Sequence, residues 1–92
     1  MSMLKSGTEI GIPCDVKQGP FSNERLVSFD TLDGPVTGFV QNERLEKSSS
    51  NQWYVRAIVK DVRGDVVTVL VEGSFFNTNG LANIRREMAL AA

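Results

Sequence analysis

The chain has 92 residues, enough for one domain and no second core. Hydrophobic residues make up 41% and charged residues 23%, a globular balance that excludes a disordered chain. Ten Lys and Arg against eleven Asp and Glu leave a net charge of −1, which excludes a long-range pull toward nucleic acid or anionic lipid.

The first seven residues are mostly small and polar and read as a loose start. From Thr8 the pattern alternates. Ile10, Ile12, Cys14 and Val16 share one face, and Glu9, Pro13 and Asp15 the other, which predicts a strand. Pro13 has no amide donor, so that strand is expected to lie at an edge there. Gln18 to Asn23 is a loop by its Gly-Pro and Ser-Asn pairs.

Arg25 to Leu32 is a second strand and Val36 to Val40 a third, joined at Asp33-Gly34, a type I′ hairpin signal. A two-residue loop there sets Val27, Phe29 and Thr31 opposite Val40, Gly38 and Val36, with Phe29 lying across Gly38. Glu43 to Gln52, with three serines in a row, reads as a long exposed loop and the first place to expect disorder.

Trp53 to Val62 and Val66 to Glu72 form the strongest strand pair, turned at Arg63-Gly64-Asp65. A three-residue loop pairs Val59 with Val69, Ala57 with Val71 and Arg56 with Glu72, which keeps each face uniform. The inner face then holds Val55, Ala57, Val59, Val67, Val69 and Val71. The outer face carries Ile58, Val62, Val66 and Leu70, an apolar patch that needs a cover. Residues 73–80 are irregular. Leu81, Ile84 and Met88 are spaced as one helical face, so a short helix over about 81–90, capped by Thr78 or Asn79, is expected.

These elements predict an all-β fold, a small five-stranded SH3-like barrel over residues 8–72 with a short C-terminal helix, and a single domain over 1–92. The runner-up is an OB-like barrel, and the third choice a two-layer sheet with a helix. The strand lengths and tight hairpins resemble the SH3-like superfold in architecture only. The acidic and aromatic motifs of peptide-binding SH3 domains are not visible, so no proline-rich specificity follows, and the superfold hosts unrelated functions.

Chemistry-bearing signals are few. The chain has no histidine, which removes the commonest general base and metal ligand. Its one cysteine, Cys14, sits in an apolar alternation and reads as a buried small hydrophobe. Asp30, Asp33, Asp61 and Asp65 gather near hairpin ends, without the spacing of a calcium loop. Arg63-Gly64-Asp65 spells an integrin-binding tripeptide but reads as a hairpin turn with Gly64 at positive φ. Phe75 and Phe76, with Phe21 and Phe39, read as core or self-association contacts before a ligand groove. No phosphate loop, zinc spacing or glycosylation sequon occurs. The start of the chain lacks a signal-peptide pattern and no apolar run reaches membrane-spanning length, so a cytoplasmic location is expected.

The functional expectation is a non-enzymatic binding or adaptor domain with no cofactor and no metal. Its partner is expected to be a protein, with a second copy of the chain as one candidate, at Ile58, Val62, Val66, Leu70, Phe75 and Phe76. The alternative is a single-stranded nucleic-acid-binding barrel using Trp53, Tyr54, Arg56 and Lys60, aromatic and basic residues interleaved on one strand.

Overall fold

The computed structural model describes residues 4–19, 22–75 and 79–89. Among the described residues there are eight strands: β1 (Glu9–Gln18), β2 (Glu24–Thr31), β3 (Gly34–Gln41), β4 (Leu45–Lys47), β5 (Trp53–Arg63), β6 (Val66–Val71), β7 (Ser74–Phe75) and β8 (Leu81–Arg85). A one-turn helix, α1 (Arg86–Ala89), follows, and a 3₁₀ turn at Asn42–Arg44 leads into β4. The fold is all-β, as the alternation predicts. The strands form one curled half-barrel sheet in the order β7-β3-β2-β1-β5-β6-β8, with β4 also paired to β5.

Strand β1 produces the curl. Its residues 9–14 pair with β5 and its residues 15–18 with β2, so the strand passes from one half of the sheet to the other. Pro13 lies in the half that pairs with β5 alone among the described residues, which spares the sheet a missing donor on its open side. The curl brings β8 round to the β2–β3 hairpin, where the Leu32 N–H donates to the Asn83 carbonyl at 2.8 Å. Met88 of α1 packs against the core and Ala89 is buried in it.

The core is built from the inner faces of the strands. Ile12, Val27, Val40, Val55, Val59, Val67, Val69 and Ile84 are its largest fully buried side chains. All eight are β-branched, stiff at χ1 and suited to a pleated surface. No polar side chain is buried among the described residues.

Several sequence expectations change in detail. The β2–β3 turn closes on Leu32–Asp33, with Thr31 opposite Gly34. There the Thr31 hydroxyl accepts from the Asp33 N–H at 3.0 Å and donates to the Gly34 carbonyl at 2.6 Å. Within this turn Gly34 alone takes a positive φ, +108°, so no turn residue with a side chain enters the left-handed region. Phe29 therefore faces Val36, and Val27 faces Gly38. The shift is two residues, so every side chain keeps its expected face.

The β5–β6 turn is two residues, Gly64 and Asp65, with Arg63 opposite Val66. A bulge between Val59 and Asp61 takes up the extra residue, and the expected Val59–Val69 and Ala57–Val71 pairs form. Residues 43–52 are not a plain loop. They hold the 3₁₀ turn and β4, whose Leu45 is buried opposite Val55.

The largest correction concerns the expected helix over 81–90. Residues 81–85 are a strand paired with β6, and only 86–89 are helical. Ala82 and Ile84 are buried beside Val69 and Val67, while Leu81, Asn83 and Arg85 point outward. A strand here satisfies the backbone groups along β6, which a helix would leave unpaired. The expected cap at Thr78 lies outside the described residues. The strand count of eight also exceeds the five of the expected barrel, through β4, β7 and β8.

Strand geometry in β8 separates Ile84 from Leu81. Ile84→Ala is expected to cost about 3 kcal/mol and to lower the melting midpoint by more than about 10 °C. Leu81→Ala is expected to cost less than about 1 kcal/mol. Equal losses, measured by thermal unfolding in dilute solution, would place both residues on a buried helical face and contradict the strand.

Candidate interaction surface

Rows of residues run across the outer face of β5, β6 and β8. Ile58, Leu70 and Leu81 stand in one row, since Ile58 pairs with Leu70 and Leu70 with Leu81. The next row is Asp61, Thr68 and Asn83, with the Thr68 hydroxyl donating to Asn83 Oδ1 at 2.6 Å. The third row is Arg63, Val66 and Arg85. The exposed large hydrophobic residues of the described chain are Leu81, 50% exposed, and Leu32, 45% exposed. Leu81 belongs to β8, and Leu32 adjoins it through the bond to Asn83.

The expected patch is thus partly redrawn. Ile58, Val66 and Leu70 lie on the outer face as expected. Val62 does not: the bulge at Lys60 turns it inward beside Val67, where it packs on the core. Phe75 also packs on the core, pairing with Gly38 and meeting the Phe29 ring edge-on at 5.6 Å. Phe76 and Phe21 lie outside the described residues. Leu32 and Leu81 are additions that sequence reading missed, the first assigned to a strand and the second to a buried helical face.

The four nucleic-acid candidates do not form one platform. Trp53 faces inward, paired with Cys14 and packed on the core, at the end of β5. Arg25 and Lys47 lie over its ring, 5.5 and 5.4 Å from the centroid. Tyr54 faces outward, between Pro13 and Glu46. Arg56 is expected to pair with Glu72. That register forms, with the Glu72 N–H donating to the Arg56 carbonyl at 3.3 Å, while the Arg56 side chain bonds Glu46 at 2.8 Å and lies 3.5 Å from Glu9 and the Glu72 carboxylate pairs with Arg44. The hydrogen bond that Arg56 donates to Glu46, followed by the charge of Glu9, holds the guanidinium pKa above its ordinary value. Lys60 is exposed at the bulge.

The remaining motifs have local partners. Arg63 pairs with Asp61 at 3.1 Å. The Asp65 carbonyl accepts from the Arg86 N–H at 2.8 Å, which ties the Arg-Gly-Asp turn to α1. Gly64 has the expected positive φ, +60°. No group of three metal-ligating side chains occurs among the described residues, and no described helix is long and apolar enough to cross a membrane.

Comparison with known proteins yields no match to a family model, a curated protein or a solved structure.

Cys14 is buried, 6% exposed. Burial, and then the charge of Asp15, push its thiol from 9.0 up to about 12. The unfolded thiol ionises first as pH rises. The stability contributed by the neutral thiol is therefore complete below pH 9.0 and is lost progressively as pH approaches about 12. Cys14→Ala is expected to flatten that decline, read as the difference between variant and parent in urea midpoint at pH ~8 and pH ~10.5. A parallel decline in both proteins would show that Cys14 does not cause it.

Proposed function

We propose that this chain is a non-enzymatic binding domain that works by protein–protein association through the outer face of β5, β6 and β8. The observation that carries the reading is the position of Leu81 and Leu32. Both expose about half their surface, Leu81 opens β8 and Leu32 adjoins it, and Leu81 completes a row with Ile58 and Leu70. Apolar side chains that line up across three strands favour a partner surface over water, at about 25 cal/mol per Å² removed from solvent.

The barrel type is part of the proposal. The five long strands β1, β2, β3, β5 and β6 are those assigned to an SH3-like barrel from the sequence. Their order, with β1 between β2 and β5, lends more support to the OB-like alternative. Neither type fixes a function.

Single-stranded nucleic-acid binding has less support. Trp53 and Tyr54 face opposite sides, and Arg56 is already held by Glu46 and Glu9. Titration with mixed-sequence RNA and DNA at low salt is expected to leave Trp53 fluorescence flat. A saturable response that weakens as salt rises would reverse this ranking.

The test of the main reading is Leu81→Glu. The variant is expected to keep its melting midpoint and to lose association, whether that is seen as self-association by light scattering or as retention of another protein on the immobilised chain. Undiminished association by the folded variant would remove this face from the interface.

A further inference from the structure

Strand β1 changes partner partway along, and the change leaves a split in the sheet. Its residues 15–18 pair with β2, while among the described residues 9–14 pair with β5 alone, so β1 and β2 diverge beyond the Asp15–Ser28 pair. Helix α1 packs against β1, and against β6 and β8. We propose that α1 is a detachable plug: it leaves this seat by local opening, with the sheet intact, and so uncovers the open edge of β1 and the Cys14 side chain. The plug and the outer face of β5, β6 and β8 are separate features, and neither depends on the other.

The way α1 is held supports an independent opening. It is four residues long, too short to keep its shape unaided, so its seat holds it. Two of its side chains supply the apolar hold. Ala89 is 4% exposed and Met88 is half-buried against the core, whereas Glu87 is exposed. The start of α1 is tethered to the β5–β6 turn. There the Arg86 N–H donates to the Asp65 carbonyl at 2.8 Å, and the Arg86 guanidinium reaches the Gly64 carbonyl at 3.4 Å. The end that lifts is therefore the one that carries Met88 and Ala89.

Solvent reaches that end through two grooves. One of about 340 Å³ has Met88 in its wall together with Pro13, Cys14 and Phe29. The other, of about 500 Å³, has Ala89 in its wall together with Ile10 and Gly11. Strand β8 is held in a different way. It is paired with β6 from Leu81 to Arg85, and Ala82 and Ile84 are buried. A laddered strand opens at a higher free energy than one turn resting on two side chains, so opening stops at Arg86.

Cys14 reports the opened form. In the closed form it is 6% exposed, and burial, then the charge of Asp15, pushes its thiol up to about 12. Little thiolate is then present to react until α1 lifts.

The test is the rate at which an aromatic disulfide reagent modifies Cys14 in the native chain. The Cys14 thiolate attacks one reagent sulfur, the reagent S–S bond breaks, a mixed disulfide forms, and the other half leaves as a coloured thiolate that is counted. Met88→Ala is expected to speed this reaction about tenfold or more, because it weakens the seat. Val40→Ala, at the end of β3 remote from the turn that meets β8, is expected to lower the melting midpoint yet leave the rate within about twofold of the parent. Low concentrations of urea are expected to leave the parent rate nearly unchanged, because the opening exposes little surface. A rate that climbs with urea, and climbs in Val40→Ala as much as in Met88→Ala, means that Cys14 is reached by unfolding of the whole domain and overturns the proposal. A rate that Met88→Ala leaves unchanged also overturns it, since the reagent then reaches Cys14 without movement of α1. If Met88→Ala does not fold, Met88→Gln, of similar length and polar, is read in its place against the same outcomes.

Discussion

The register of β5 is the constraint on which the rest of the structure depends. Its eleven residues pair with β1 on one side and with β4 and then β6 on the other. Val55, Ala57 and Val59 are fully buried on its inner face. A slip of one residue against any neighbour would move these three to solvent and bring Tyr54, Arg56 and Ile58 into the core. The bulge at Lys60 keeps that register compatible with a two-residue turn at Gly64-Asp65. Without it, either the turn would lengthen or the Val59–Val69 pair would be lost.

The same bulge shapes the outer surface. Beyond Lys60 the side chains of β5 change face, so Val62 joins the core and Asp61 and Arg63 come outward. The apolar row is confined to one line of residues, with a polar row and then a basic row beside it. At the other end of the face β6 stops at Val71 and β4 enters the vacated place, bringing Glu46 to Arg56. The ion pairs at that end are thus a product of where strands end, and being exposed they add little to stability themselves.

The closing segment of the sheet shows how tertiary pairing overrides a local pattern. Leu81, Ile84 and Met88 fit a helical period, and Ala82 and Ile84 fit an alternating one. Five residues are too few for periodicity alone to separate the two. The unfilled edge of β6 separates them, because a strand there completes both a hydrogen-bonded ladder and the core around Val67 and Val69. Leu81 consequently leaves the buried side to which a helix would have assigned it and becomes half exposed.

Much of the architecture is determined by the sequence alone. Alternation in β1, β5 and β6 marks those strands and their inner faces, because a period of two admits only one burial pattern. The Asp33-Gly34 pair locates a hairpin to within one residue, because the chain can reverse there at little cost. The absence of histidine and of ligand spacing limits the chemistry. Only the tertiary structure decides the division of β1 between two partners, the bulge in β5, the strand at 81–85 and the placement of Glu46 beside Arg56. Each depends on what another segment leaves unpaired, and residues distant in sequence carry no local signal of an edge that needs filling.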